Sequence, residues 1–522
     1  MSIKSIKSSV IKSATIIAFA TFCSRILGFM RDVVIARLFG VYIYAQAFVI
    51  AFRIPNLLRD LVAEGAANAA FVPVFSEYQI KRSKEEFWEL ANVVLNLLLV
   101  ILSIITILGI IFSPFLVRII APGFIADPQK LATTIKLNRL IFPYILLISL
   151  AAYSTGILNS LKHFSIPAFS PCLLNLSIII FALVFGEGII GLALGILVGG
   201  ILQLIVQIPV LYHKGFRLRL FRRFQHPAAK MIGKLLLPRL LSSCIYQLNN
   251  FVDAIFGSLT FIVGEGGVAI LYFAYRLIQF PLGIFSNALS QAILPTFSTE
   301  ALEENKERLI QTLSFGLRMV FFVLLPASVG FIVLSRLIIF SLFGGGRFDD
   351  YACLMTASIL SFYSFGLVFY GANKILQSCF FALKDTFTPT KISFFALILN
   401  IILNSILMFW LKLKGLALAT SLSGLFSFFV LFLILKKKLN ILNLKEIIYS
   451  FLRILFASIS MGLLCYIIVQ RNFFFGNLSI LSKIINLGLF LILGTISYII
   501  FCFIFQVKEL KELINWIRSK KV

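Results

Sequence analysis

Residues 24–75 read SRILGFMRDVVIARLFGVYIYAQAFVIAFRIPNLLRDLVAEGAANAAFVPVF. The background is as apolar as a membrane-spanning helix, yet the stretch holds Arg25, Arg31, Asp32, Arg37, Arg53, Arg59, Asp60 and Glu64. A charged side chain at bilayer depth costs about 2.5–3.5 kcal/mol on insertion scales, so such residues face a protein interior or a water-filled cavity. Five arginines in one such stretch are too many for snorkelling alone. They point to an anion-binding cavity inside a membrane protein.

The rest of the chain has the same background. Of its 522 residues 60% are hydrophobic and 13% charged, about half the charge of a soluble protein. Apolar runs of spanning length recur throughout, which predicts an all-α, polytopic membrane protein. A transmembrane barrel would instead alternate apolar and polar residues in short segments. The N-terminal MSIKSIKSSVIKSATIIAFATF has a basic start and an apolar run but no small-residue cleavage site, and reads as a retained first helix. The net charge is +26. Most basic residues sit between apolar runs or at the ends, which suits membrane topology and anionic lipid, not nucleic acid. The seven cysteines form no CxxC pair, and the three histidines lack ligand spacing, so no metal or cofactor is expected.

Fourteen spans are expected, at roughly 12–38, 44–75, 90–120, 131–159, 165–185, 189–212, 231–261, 267–297, 308–342, 352–382, 387–411, 415–435, 448–469 and 480–506. The second and eighth are too long to be straight, and Pro55 and Pro281 predict kinks. One set of connecting segments holds Lys81, Arg82 and Lys84; Lys162; Lys214 to Lys234; Lys306 and Arg308; Lys384; Lys436 to Lys438; and the tail from Lys508. The opposite set is far less basic. The positive-inside rule therefore puts the first set and both termini in the cytoplasm.

The chain contains a repeat. AFRIPNLL…AAFVPVFSEY (51–78) resembles AYRLIQFPLG…QAILPTFSTE (274–300), GILNSLKHFSIP (156–167) resembles KILQSCFFALKDTFTP (374–389), and GLALG (191–195) resembles GLALA (415–419). Arg53 and Arg276, Pro73 and Pro295, and Gly191 and Gly415 lie 223, 222 and 224 residues apart. Six spans fit in one offset, so the repeats are parallel, related by an axis along the membrane normal. The expected organisation is an N-lobe at 1–212 (spans 1–6), a basic linker at 213–230, a C-lobe at 231–438 (spans 7–12), and 439–522 carrying spans 13 and 14 with a basic tail. The two six-helix lobes would be pseudo-symmetric, with the substrate path between them.

Helical rise places the charges in depth. Counted from Ser13, Arg25 lies about 18 Å in; counted from Tyr44, Arg53 lies about 14 Å in and Arg59 about 22 Å in; counted from Gly267, Arg276 lies about 14 Å in. In a core about 30 Å thick, Arg25, Arg53 and Arg276 are near mid-depth, and Arg53 and Arg276 would approach the inter-lobe cavity from opposite sides. Arg37 lies near the outer interface, where it could simply snorkel. Guanidinium forks suit phosphate or diphosphate, and lysine is absent from these positions. Asn56, Asp60 and Glu64 follow Arg53 on one helical face. Asp32, Asp60 and Glu64 are candidates for charge pairing or an inter-helix gate; the alternative is that these charges only organise the fold. Gly28 and Pro55 are candidate hinges. Asp253, Asn400, Asn404 and Thr420 offer hard oxygen ligands for Na⁺, or a proton site at Asp253, with helix–helix hydrogen bonding as the alternative.

The motifs SRILGFMRD (24–32), AFRIPNLLRDLVAEGA (51–66), AFVPVFSEY (70–78), AYRLIQFPLG (274–283) and ALKDTFTP (382–389) closely resemble the bacterial lipid II flippase family, the MurJ/MviN proteins of the multidrug/oligosaccharidyl-lipid/polysaccharide exporter superfamily. The resemblance covers essentially the whole chain. It implies translocation of the undecaprenyl-diphosphate-linked peptidoglycan precursor from the inner to the outer leaflet of the cytoplasmic membrane, with peptidoglycan-synthesis proteins as potential partners. It matches the family's essential arginines to Arg25, Arg31, Arg59 and Arg276, and its acids to Asp32 and Glu64. Two positions depart from the pattern. Gln46 stands where the family usually has Asp, and Asp60 where a second basic residue is common.

The resulting expectation is alternating access, with the arginines binding the diphosphate and the membrane potential, worth about 2.3 kcal/mol per charge per 100 mV, available for coupling to Na⁺ or a proton. The alternative is an exporter of another polyprenyl-linked polysaccharide precursor with the same architecture. A membrane enzyme would need clustered acids or histidines for metal or base chemistry, and no such cluster accompanies the arginines.

Overall fold

The computed structural model describes residues 3–59, 67–186, 188–220, 226–303, 305–439, 444–472 and 479–519. Asp60 and Glu64, together with Arg222 and Arg223 of the basic linker, lie outside the described residues.

The first helices are α1 (Ile3–Phe39), α2 (Ile43–Arg59), α3 (Ala67–Lys81), α4 (Lys84–Ile111), α5 (Ser113–Ile120), α6 (Pro128–Ile141) and α7 (Tyr144–Ser160). They are followed by α8 (Ser165–Phe185), α9 (Ile189–Ile205), α10 (Ile208–Lys214), α11 (Pro227–Ser258) and α12 (Thr260–Val263). Then come α13 (Gly267–Pro281), α14 (Asn287–Leu302), α15 (Lys306–Leu342), α16 (Asp350–Ala382), α17 (Phe387–Leu411) and α18 (Leu413–Leu439). The chain ends with α19 (Leu444–Asn472), α20 (Ile480–Ile504) and α21 (Lys508–Ser519).

Among the described residues, eleven helical segments are long and apolar enough to cross a membrane. The three other expected spans coincide with α1, with α2 and α3, and with α11. α1 begins well before the expected edge at 12, because KSIKSSVIKSA contains neither proline nor glycine to stop it. The eighth span is broken as its length demanded: a π-helical turn at Leu282–Ser286 follows Pro281 and separates α13 from α14. Side chains from outside the helices fix their starts. Ser83 accepts from the Glu86 N–H at 3.2 Å, Asn305 from Arg308 at 3.1 Å and Asp349 from Ala352 at 2.8 Å.

The chain divides into two compact units, Met1–Phe261 and Ile262–Val522. In the first, α8 packs on α1 and α9, α6 on α2, and α7 on α3 and α9. An aromatic core of Phe71, Phe75, Phe87 and Tyr153 holds α3, α4 and α7 together, and Ala228 and Ile232 of α11 join it. The Gly123 N–H donates to Ser258 Oγ at 3.0 Å, tying the far end of α11 to the turn before α6. Contacts thus group α11 with the first unit, whereas the repeat counts it as the first helix of the second lobe. In the second unit α16 packs on α15 and α18, α18 on α17, and α19 on α15 and α20.

Candidate functional site

On α1, Arg31 and Asp32 are 3% and 1% exposed. Arg31 Nε and Nη2 donate to Asp32 Oδ1 at 3.1 and 2.7 Å, and Nη1 donates to Asn175 Oδ1 on α8 at 3.1 Å. Asn175 in turn donates from Nδ2 to the Ser24 carbonyl at 3.1 Å. The guanidinium carbon lies 6.0 Å from the centre of the Phe52 ring on α2. Arg31 is therefore the hub of a buried ion pair that joins two helices and touches a third. Burying the pair strips water from both ions, and the carboxylate and the Asn175 amide replace that water.

The helix arrangement explains the close approach. Gly28 faces Asn175, and a Cβ there would lie 3.5 Å from its Nδ2. α1 runs unbroken through Gly28, and α2 runs unbroken past Pro55. Arg25, on the same helix as the pair, is exposed, while Arg37 and Arg53 are half-buried. Arg59 is the last residue of α2. Gln46 on α2 is fully buried, and neither its Oε1 nor its Nε2 has a hydrogen-bond partner among the described residues.

In the second unit Arg276 stands on α13. Its Nε and Nη2 donate to the Tyr272 hydroxyl at 3.3 and 3.1 Å, and its Nη1 donates to Gln279 Oε1 at 3.2 Å. The guanidinium also lies 5.1 Å from the centre of the Tyr272 ring. Neutral groups one turn away on either side thus orient this guanidinium. A fork held in that way is prepared to meet a phosphate without reorganising.

Asp253 is half-buried on α11 in the first unit. Asn400, Asn404 and Thr420 are buried together in the second. Asn404 Nδ2 donates to Asn400 Oδ1 at 3.0 Å, and Asn400 Nδ2 donates to Thr420 Oγ1 at 3.2 Å. The Thr420 hydroxyl donates to the Leu416 carbonyl at 3.1 Å. This chain joins α17 to α18, the arrangement expected of polar contacts between membrane helices. Among the described residues no three His, Cys, Asp or Glu side chains group as metal ligands.

Two participants escaped the sequence reading. Asn175 is one; nothing near it in sequence marks it, and its role exists only through a contact 144 residues away. Arg318 is the other. It lies within an apolar run, as Arg31 does, and it pairs with Glu446, Glu509 and Glu512 at 3.4, 3.1 and 3.5 Å. The rule that flagged the N-terminal arginines applies equally to it.

The lipid II flippase MurJ family model matches residues 35–509. A probable lipid II flippase MurJ from Buchnera aphidicola subsp. Acyrthosiphon pisum (strain APS) is 35% identical over 92% of this chain and 94% of its own. The lipid II flippase MurJ of Burkholderia cenocepacia (strain J2315) is 32% identical over 80% and 82%. Among solved structures, a lipid II flippase MurJ in an inward closed conformation superposes with a TM-score of 0.78 at 29% identity, covering 95% of this chain and 99% of that one. An inward-facing multidrug resistance MATE family transporter of the MOP superfamily, 18% identical with a TM-score of 0.69, shares the fold. The chain belongs to the lipid II flippase MurJ family.

Proposed function

We propose that this chain carries lipid II from the inner to the outer leaflet of the bacterial cytoplasmic membrane by alternating access, with both termini in the cytoplasm and no covalent chemistry. The family match across 35–509 carries the reading. The arginines supply its physical content. The proposed diphosphate contacts are Arg276, oriented by Tyr272 and Gln279, and Arg25, Arg31, Arg53 and Arg59. Arg31 is held by Asp32 and Asn175 and sets how α1 meets α8. Asp60 and Glu64 act as charge partners or as a gate, and Gly28 and Pro55 give α1 and α2 room to bend. Asp253 is the proposed carrier of a coupling Na⁺ or proton, and Asn400, Asn404 and Thr420 are proposed oxygen ligands within the second unit.

Complementation tests the proposal. In cells depleted of their own lipid II flippase, the wild-type chain restores growth and Arg276→Ala does not, at equal abundance in the membrane. Failure of the wild type, with rescue instead of a strain lacking a polysaccharide-precursor exporter, would overturn it.

A further inference from the structure

A cavity of about 670 Å³ opens where α19 begins, α20 ends and α21 leaves. None of Arg25, Arg31, Arg53 and Arg276 lines it. Arg318 of α15, Lys445 and Arg453 of α19, and Lys508 of α21 line it, against the acids Glu446 and Glu509. Arg318 is compensated by Glu446, Glu509 and Glu512, and Ser450 Oγ donates to Glu509 Oε1 at 2.7 Å. The buried Arg318 Nε has no hydrogen-bond partner among the described residues.

Arg453 is held differently. Its Nη1 donates to the Gln506 carbonyl at 2.7 Å and its Nη2 to the Tyr449 hydroxyl at 3.1 Å, with the guanidinium 4.3 Å from the Tyr449 ring centre. These acceptors fix the fork in place without supplying a carboxylate. Lys445 and Lys508 are exposed beside it. Below them, Ile448, Leu452 and Phe456 are 53%, 41% and 54% exposed at four-residue spacing along α19, a helix apolar enough to span the membrane. α21 is amphipathic: Val507 just before it and Leu510 within it are buried, while Lys508 and Lys511 are exposed.

A cationic cavity that continues into an exposed apolar stripe matches a molecule with an anionic head and hydrocarbon chains. We propose that this cavity binds an anionic phospholipid of the surrounding leaflet, its phosphate against Lys445, Arg453 and Lys508 and its acyl chains along Ile448, Leu452 and Phe456. Each basic residue near a membrane surface attracts anionic lipid, and a guanidinium already oriented needs little further ordering to meet a phosphate.

Native mass spectrometry of the purified full-length protein with phosphatidylglycerol or phosphatidylcholine tests this. The wild type should retain phosphatidylglycerol about tenfold better than phosphatidylcholine, and Lys445→Gln/Arg453→Gln/Lys508→Gln should lose that preference. The conservative Lys445→Arg/Lys508→Arg variant should keep it. Should the triple variant fail to fold, Lys445→Gln alone, an exposed position, should still lower the preference severalfold. A photoactivatable phosphatidylglycerol should label α19 between Lys445 and Phe456. Equal retention of the two lipids by the wild type, an unchanged preference in folded variants, or labelling confined to other helices would overturn the proposal.

Discussion

At the residue scale, Arg31 shows why an intramembrane charge cannot be given a role from depth alone. Its position in a helix was legible in SRILGFMRD, and so was its neighbour Asp32. The third member, Asn175, was not, because an asparagine in an apolar run carries no signal until another helix brings an ion to it. The buried pair makes a stability prediction. Removing one ion takes from the other a buried charge partner, so Arg31→Ala and Asp32→Ala should each cost about 3–5 kcal/mol. The double variant Arg31→Met/Asp32→Leu should recover most of that loss. Thermal unfolding of the purified variants measures it; if the double variant is as unstable as the singles, the pair is not the source of the loss. Gln46 poses the converse problem. At a position where the resemblance leads one to expect Asp, this chain buries a neutral amide whose two polar atoms lack partners among the described residues. A carboxylate buried there without a counter-ion would cost more than the amide does.

At the element scale, the short repeat GLALG/GLALA acquires a mechanical reason. Gly191, Gly195 and Gly199 recur at four-residue spacing and turn one face of α9 towards α8. A Cβ on Gly195 would lie 2.8 Å from the Ile178 Cα, and one on Gly199 would lie 2.9 Å from the Leu174 Cα. Small residues at this spacing let membrane helices meet backbone to backbone. On α18, Gly415, Ala419 and Ser423 are the corresponding small residues, all buried. Gly195→Leu should therefore force α9 off α8 and cost about 1–3 kcal/mol or more, read as a lower unfolding midpoint. An unchanged midpoint would mean the contact is looser than described.

The motif ALKDTFTP is explained at the same scale. Asp385 Oδ2 accepts from Lys438 Nζ at 2.8 Å and from Thr388 Oγ1 at 2.9 Å, and Oδ1 accepts from the Thr388 N–H at 3.0 Å. The loop between α16 and α17 is thereby tied to the end of α18. The hydrogen bond from Lys438, opposed by partial burial and aided by those from Thr388, holds the Asp385 carboxyl below the usual carboxylate range. A carboxyl whose folded pKa is depressed stabilises the fold fully above its unfolded value and loses that contribution as pH falls through the folded value. Asp385→Ala should lower stability by about 1 kcal/mol at neutral pH, and the difference from wild type should vanish as the medium is made strongly acidic. Unfolding midpoints measured across an acid pH series check this; a difference that grows on acidification would reverse the sign.

At the scale of the whole molecule, the repeat is visible in the backbone as well as in the letters. Lys162 and Lys384 follow equivalent helices, 222 residues apart, and both take a left-handed conformation, with φ of 58° and 59°. Gly186 and Lys412 close the next pair of helices with φ, ψ of 56°, −124° and 52°, −133°. Helical class, span order and duplication were legible because lipid leaves long apolar helices as the solution for such a sequence. The grouping of α11 with the first unit was not, because it depends on Gly123 meeting Ser258 and on Ala228 and Ile232 entering an aromatic core, contacts that no periodicity announces. The Arg318 cluster was equally hidden, since its acids come from the starts of α19 and of α21, more than a hundred residues further along the chain.

Leaflet accessibility of lipid II tests the central claim most directly. In cells depleted of their own flippase, the fraction of lipid II open to an externally added cleaving enzyme should rise when the wild-type chain is expressed. It should stay at the depleted level with Arg276→Ala at matched membrane abundance. No rise with folded, membrane-inserted wild type would contradict transport of lipid II by this chain; an equal rise with both would contradict the role given to Arg276.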